Sequence, residues 1–435
     1  MKRSLVSTLL LSVGALVAAV AAFPQSAKAD VTLFDRDGWT FFTTGQVAAH
    51  YQLISGEADP LGVGKPFSGG QILDEIASSD QRDGTLTMSN LRSGFVGTQI
   101  GFGMNRQISN DVRVESLFAL NVNGINNKRG QEHVKGIDYR EAWASLVTPF
   151  GSLKFGRMFG LFASASAQVQ VLAWRYGVGH PCSAQNAGMS CGSTGAGPLY
   201  PGFDASLRYT SPRIAGFEAS VALVDPYVNY NFKFSPYPRF DADLNFDKTL
   251  GLARLRAMVQ TMFNRVGTTT APQGTPGQPT FMEGTLTMRN IWGVMGAGIL
   301  NVGPGVIAGG MWTGKGVGER VPLEANDAAN PISNDQQNNL REFRGYFGNA
   351  GGTIGPITLT AGGGILFVKP TSVDKLPEAD VPNNVVKNQW EYHVVANYRI
   401  DSIIFTAEYM HWQTKWNLGQ TQALNFMGGG VNYVW

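Results

Sequence analysis

From Ile137 to Gly160 the chain reads IDYREAWASLVTPFGSLKFGRMFG, two short runs of alternating apolar and polar residues folded about a Thr148-Pro149-Phe150-Gly151 turn. Side chains two apart share one face of a β-strand. In the first run one parity carries Arg140, Ala142 and Ala144 and the other carries Glu141 and Trp143, while the return run sets Leu153 and Phe155 opposite Lys154. Each run has roughly the 9 to 11 residues with which a tilted strand crosses a bilayer. On that reading Glu141, beside Trp143 on the nominally lipid-facing parity, is a flaw that only an interface would tolerate. The stretch that follows, Leu161 to Phe203, reads as a long polar loop.

The same period of two recurs in sixteen segments, from Trp39 to Gln52 at one end to Ala423 to Trp435 at the other. The connections are alternately short and long. Seven are short, among them Thr148 to Gly151, Ser211 to Arg213, Gly303-Pro304 and Ile400-Asp401, and eight are long, including Leu53 to Asn90, Leu161 to Gly202 and Val368 to Asn388. Turns on one side and loops on the other are what a closed, even-stranded antiparallel barrel produces. The alternation is clearest near the end, where Trp390, Tyr392, Val394, Ala396 and Tyr398 share a parity, as do Ile403, Phe405, Ala407 and Tyr409. Aromatics bracketing small and aliphatic residues resemble interface girdles around a lipid band. Ile404 and Met410 on the inner parity fit a wet lumen poorly, and a soluble β-sandwich has the same period.

Composition narrows the choice. Glycine, 54 of 435 residues, with 11% aromatics suits short strands and turns better than long helices or a disordered tail. Lys2 and Arg3, the apolar run Leu5 to Phe23 and Ala27-Lys28-Ala29 read as a secretory signal peptide over residues 1–29, leaving 30–435 as one β-domain. Its removal takes three of the 34 basic side chains and none of the 32 acidic ones, so the exported chain is close to neutral. A nucleic-acid partner is not expected, since no clustered basic run is visible. Cys182 and Cys191, with eight residues between them in the long loop of an exported chain, read as a local disulfide. A metal site is the weaker alternative, because only His180 stands near the two thiols.

Five patches carry a family resemblance: GQVAAHY from Gly45, LRSGFVG from Leu91, YREAWASLVTPFGSLKFGR from Tyr139, LRYTSPRIAGF from Leu207 and GGGVNYVW from Gly428. In this order they resemble the general porins of Gram-negative outer membranes. The resemblance implies an all-β, 16-stranded antiparallel transmembrane β-barrel with a long, inward-folded third loop, here Leu161 to Gly202. It also implies a homotrimer in the outer membrane, in contact with outer-membrane lipids, whose terminal aromatic, Trp435, is read by the barrel assembly machinery. Porins line one wall of the constriction with basic side chains; the matching positions are Arg92 and Arg140, with Gln46 where a lysine is common. Parity and proximity to the loop add Arg113, Lys154 and Arg208, although Arg113 shares a parity with Glu115 and can pair with it. The loop departs from the family, for it has no Asp or Glu and offers Arg175 and His180 instead.

The expected function is passive diffusion of small hydrophilic solutes and ions through a water-filled lumen, with weak anion preference or near-neutrality set by fixed charge at the narrowest point. No cofactor is implied. The alternatives are a barrel tuned to one substrate and an exported soluble carbohydrate-binding β-sandwich. Enzymatic readings are poor, because His50, His133, His180, His393 and His411 are dispersed and show no nucleophile or metal spacing.

Overall fold

The computed structural model describes residues 31–58, 67–68, 84–122, 137–181, 190–226, 235–269, 286–318, 332–335, 337–375 and 384–435. The expected signal peptide and Cys182 lie outside them. A hairpin of β1 (Val31–Arg36) and β2 (Trp39–Glu57) opens the chain. Along β2 lie, end to end, β3 (Thr85–Arg92) and β4 (Thr98–Ser109), followed by β5 (Val112–Val122), β6 (Ile137–Thr148), β7 (Gly151–Phe159), β8 (Phe203–Thr210) and β9 (Phe217–Val224). The second half contains β10 (Arg239–Leu250), β11 (Ala253–Thr269), β12 (Leu286–Val302), β13 (Gly305–Lys315) and β14 (Glu342–Ile354). It ends with β15 (Ile357–Lys369), β16 (Asn384–Ile400), β17 (Ile403–Trp416) and β18 (Thr421–Val434).

β3 and β4 both pair antiparallel with β2, from β4 onward each strand pairs antiparallel with the next, and β18 returns to β2 in register from Gln46 opposite Val434 to Gly56 opposite Leu424. With β3 and β4 forming a single stave, the wall is a closed barrel of 16 strands. Closure satisfies the backbone hydrogen bonds of every stave and removes the free margins that a two-sheet sandwich would keep. The sandwich alternative is thereby excluded. β1 was not anticipated: it pairs with the first residues of β2, and Phe34 stacks on Phe41 with ring centroids 4.5 Å apart. The second stave also starts earlier than the expected Leu91 and is interrupted at 93–97, while Ile214 lies in the turn before β9 rather than in it.

The parity of the last staves is as expected. Tyr392, Val394, Tyr398 and Phe405 are exposed to the outside, and Glu391, His393, Ile404, Thr406, Glu408 and Met410 are buried within. On β6 the expected parity is wrong. The register between β5 and β6 shifts at Ala119/Leu120, which pair with Glu141 and Tyr139, so Arg140 is an extra residue in a β-bulge. Beyond the bulge the faces exchange: Ala142, Ala144 and Leu146 align with outward residues, and Glu141 and Trp143 turn inward, where Trp143 Nε1 donates to Glu141 (3.0 Å) and Lys154 Nζ sits 3.6 Å from the Trp143 ring centroid. Glu141 is therefore no flaw in a lipid face.

At the long-loop end, residues 332–335, 337–341 and 370–375 are tied together. Arg341 Nε and Nη2 each donate to Asp374 at 2.8 Å, Thr371 N donates to Asp374 at 2.9 Å, and Thr371 Oγ1 donates to Asp335 at 2.6 Å. Burial pushes the Asp374 carboxyl up, but the Arg341 guanidinium and the Thr371 bonds outweigh it and hold the group below the ordinary carboxylate range. A depressed folded-state pKa contributes stability above the unfolded value and loses it as pH falls through the folded value. The protection factors of the amides in 332–335, 337–341 and 370–375 are therefore expected to fall on acidification from neutral pH to about 3. Asp374→Asn should be weakly protected at both pH values, and parent protection factors that do not change with pH would refute the tie.

Candidate functional site

The stretch 161–202 is neither polar nor without regular structure. It holds a helix, α1 (Ser164–Trp174). Its sequence from Leu161 to Tyr176 has no glycine or proline and is rich in the helix formers Ala, Gln and Leu. That signal was available, but apolar residues on several sides of α1 weaken the helical period. Ala165, Ala167, Val169, Ala173 and Trp174 are buried, with Phe162 and Leu199 beside the helix, against Met258, Met295, Phe343, Phe347, Leu366 and Met410 of β11, β12, β14, β15 and β17. Burying Phe162 and Trp174 contributes roughly 1.5–3 kcal/mol each. Met410, an anomaly for a wet lumen, is thus part of the floor on which this segment rests.

Polar anchors follow the same course around the inner wall. Asp241 of β10 accepts from Phe162 N (3.3 Å), Gln260 of β11 binds both Ala165 N (3.2 Å) and Ser164 Oγ (2.7 Å), and Asn349 of β14 donates to Val169 O (2.8 Å). Further along, Thr406 of β17 and Asn432 of β18 donate to Tyr176 O at 2.7 and 3.1 Å. Glu408, buried on β17, accepts from Val178 N (2.7 Å) and Gly179 N (3.0 Å), while Gln52 of β2 donates to Gly179 O. Inward glycines make room: a Cβ on Gly364 would meet the Ala196 carbonyl, and one on Gly345 would meet Gly197 O and the Trp312 indole that donates to it. Packing accounts for these strand glycines.

The face of α1 turned away from this floor carries the less buried Ser164, Gln168, Val171 and Leu172, and Arg175 follows it, exposed. Gln168 accepts from Arg256 Nη1 at 2.8 Å. On the barrel wall, Lys154 of β7 and Arg208 of β8 are register partners facing inward, both half-buried, and Arg208 Nη2 donates to Phe159 O at 2.7 Å. Arg140 is 7% exposed, with its guanidinium 5.3 Å from the Phe203 ring centroid. Arg92 and Gln46 are 0% and 4% exposed. They lie in the packing around the 93–97 break, where Gln46 donates to Gly97 O (2.7 Å) and Phe95 N to Gly177 O (2.8 Å), and so present no wall to an open passage. Arg113 sits at the short-turn end of β5 in an ion pair with Glu115 at 2.5 Å, which explains its position without a constriction. His180 is buried and bonded to two backbone carbonyls.

Sequence reasoning missed the carboxylates of the wall. Asp241, Asp243 and Asp247 alternate inward along β10. Arg239 holds Asp241 and Asp204, and Asp247 takes Arg254 and Arg256. Asp243 bonds Asn245. Cys191 is disulfide-bonded. Among the described residues no group of three or more His, Cys, Asp or Glu is placed to hold a metal ion.

A family model described as Gram-negative porin matches residues 15–269, more than half of the chain. The chain belongs to the Gram-negative porin family. This porin is an outer-membrane channel for passive diffusion. Its fold resembles the outer membrane channel DcaP of Acinetobacter baumannii, with a TM-score of 0.62 at 14% identity over 96% of this chain and 100% of that one. An anion-selective porin from Comamonas acidovorans matches with a TM-score of 0.56 at 9% identity, over 91% and 100% of the two chains. Salmonella typhi OmpF, solved with daunomycin, matches at 0.50 and 11% identity, over 94% and 100%. No curated protein matches the sequence.

If Glu408 pins the inward segment of the porin, Glu408→Ala leaves the N–H groups of Val178 and Gly179 without their acceptor. Each buried donor so orphaned costs about 1–3 kcal/mol. The variant is expected to melt earlier and to show extra current fluctuations in a planar bilayer; parent-like melting and noise would remove Glu408 from the role.

Proposed function

We propose that this porin is a general diffusion channel whose narrowest section lies between the outer face of α1 with Arg175 and the inward side chains of β6 to β8. It would pass small hydrophilic solutes with near-neutral or weakly anion-preferring selectivity. The observation that carries the reading is the distribution of charge. Lys154, Arg208 and Arg175 keep surface toward the lumen, while the segment 161–202 has no carboxylate. On the wall, Asp204, Asp241 and Asp247 are held by arginines, and Glu115 and Glu218 pair with Arg113 and Arg213. Asp243 and Glu141 temper the excess of cations, which is why the preference is small.

The exported form is residues 30–435, cleaved after a signal peptide, and a Cys182–Cys191 bridge would tighten the middle of the inward segment. Three copies associate, a reading supported by the outer face of β4 to β7. There, a cavity of about 580 Å³ lies between Phe41, Phe102, Met104, Phe118 and Phe155, and Arg157 is exposed on a face turned toward the membrane. A lipid-facing arginine near the bilayer midplane costs about 2–4 kcal/mol, which a covering subunit would relieve. Trp435 closes the seam through reciprocal backbone bonds with Gly45 (3.1 and 3.2 Å), a position that suits recognition of the terminal strand by the assembly machinery.

Planar-bilayer recording tests the channel reading directly. Conductance should rise linearly with salt without saturation by any one solute, and reversal potentials in a salt gradient should lie at or slightly to the anion side of zero. Lys154→Ala with Arg208→Ala should lower the anion-to-cation permeability ratio about threefold, the weight of one kT of potential. Clear cation selectivity of the parent protein, or saturable flux blocked by a single ligand, would overturn the proposal.

A further inference from the structure

The barrel has a second polar feature that its passage does not use. On the outer face, at the long-loop end of β14, β15 and β16, a cavity of about 930 Å³ is lined by Arg344, Lys369, Lys375 and Lys387 together with Tyr346 and Phe367. All four cations are exposed. Register explains why they converge. Arg344 shares the outward parity of Tyr346 and stands opposite Phe367, which in turn stands opposite Asn388. Lys387 falls in the register break between Val386 and Asn388, which leaves it exposed at the same rim. Two more cations continue the row at either side: Lys315 opposite Glu342, and Lys415 opposite Asn388.

Two carboxylates reach the cavity, and both are engaged. Glu342 binds Lys369 Nζ at 2.9 Å, and Asp374 is held by Arg341. Glu342 offsets Lys369, so the net positive charge of the rim comes from Arg344, Lys375 and Lys387, at the level where a barrel wall leaves the hydrocarbon. Below it the wall changes character in two steps. First come Tyr346, Trp390 and Tyr392, the last two with centroids 6.1 Å apart. Next comes a row of outward glycines in continuous register, Gly298 opposite Gly309, Gly309 opposite Gly348, and Gly348 opposite Gly363. Arg344 and Gly348 are four residues apart on one strand, about 13 Å at the usual rise. Cationic rim, aromatic collar and bare-backbone trough lie in that order on one stretch of wall.

We propose that this face binds an outer-leaflet lipid through a phosphorylated headgroup, with the phosphate among Arg344, Lys369, Lys375 and Lys387 and an acyl chain laid over Tyr346 toward the glycine row. Guanidinium and ammonium groups at a membrane surface are the ordinary recognition elements for phosphorylated headgroups. A free phosphate would use the rim alone; the apolar floor of the cavity and the trough beneath it are what select a lipid. The proposal rests on the porin reading, which sets the long-loop end toward the outer leaflet.

The test uses the full-length porin in phosphatidylcholine nanodiscs and three probes: bis-phosphorylated lipid A, dephosphorylated lipid A and inorganic phosphate. Lipid A should bind the parent and lose at least about tenfold in affinity in the combined Arg344→Gln, Lys369→Gln, Lys387→Gln variant. Lys375→Gln with Lys387→Gln, which touches the rim where it leaves the barrel, should give a smaller loss in the same direction. Dephosphorylated lipid A should not distinguish parent from variants. Equal lipid A binding by parent and both variants would overturn the site, and displacement of lipid A by millimolar inorganic phosphate would reduce it to an anion site and overturn the lipid assignment. Single-channel conductance recorded in parallel separates the two readings. Unchanged conductance with lost lipid binding concerns this face alone, whereas a parent protein that conducts nothing would count against the channel.

Discussion

A backbone amide inside hydrocarbon has no water to bond, so every stave of this molecule must find its partner in another stave. The closing pair, β2 with β18, is the contact on which the rest depends. Once it forms, the wall has an inside and an outside, and the period of two sorts side chains between them. The outward set is apolar with aromatic collars, and the inward set is free to be polar, charged or apolar as the interior requires.

The interior is not uniformly wet. One side of it, from β11 to β17, carries methionines, phenylalanines and tryptophans that would be out of place against water. They are covered by α1 and the residues around it, which form a small hydrophobic core inside the barrel. The polar anchors Gln260, Asn349, Thr406 and Glu408 are interspersed with that core and serve the main-chain groups of the segment. Hydrophobic burial supplies the adhesion and hydrogen bonds fix the position, as in the interior of a soluble domain. In the channel we propose, the passage is what remains on the opposite side, and its chemistry comes from α1, Arg175 and the inward side chains of β6 to β8.

Charge on that side is largely spent on structure. Arg239, fully buried between Asp204 and Asp241, is part of the wall's own scaffold, and the Asp247 cluster does the same near the turns. A count of basic and acidic residues therefore says little about what an ion meets. What matters is which charges keep surface without being spent in an ion pair of the wall; Arg113, Arg254 and Arg256 keep surface but are paired, whereas Lys154, Arg208 and Arg175 are in none of these pairs. Glu141, which reads as a misplaced outward charge, is one of the interior's own carboxylates.

Sequence alone determined the strand number, the alternation of short turns with long loops, and the faces of β16 and β17, because each follows from a period repeated within a single strand. It also marked the segment after Gly160 as unusual in lacking carboxylates. It could not place the bulge at Arg140, since a bulge is set by the register of the neighbouring strand and reverses every parity beyond it. Nor could it tell that Arg92 and Gln46 are packed away while Lys154 and Arg208 stay accessible. That division depends on where the inward segment comes to rest, and its resting place is decided by residues far later in the chain, from Met258 to Asn432.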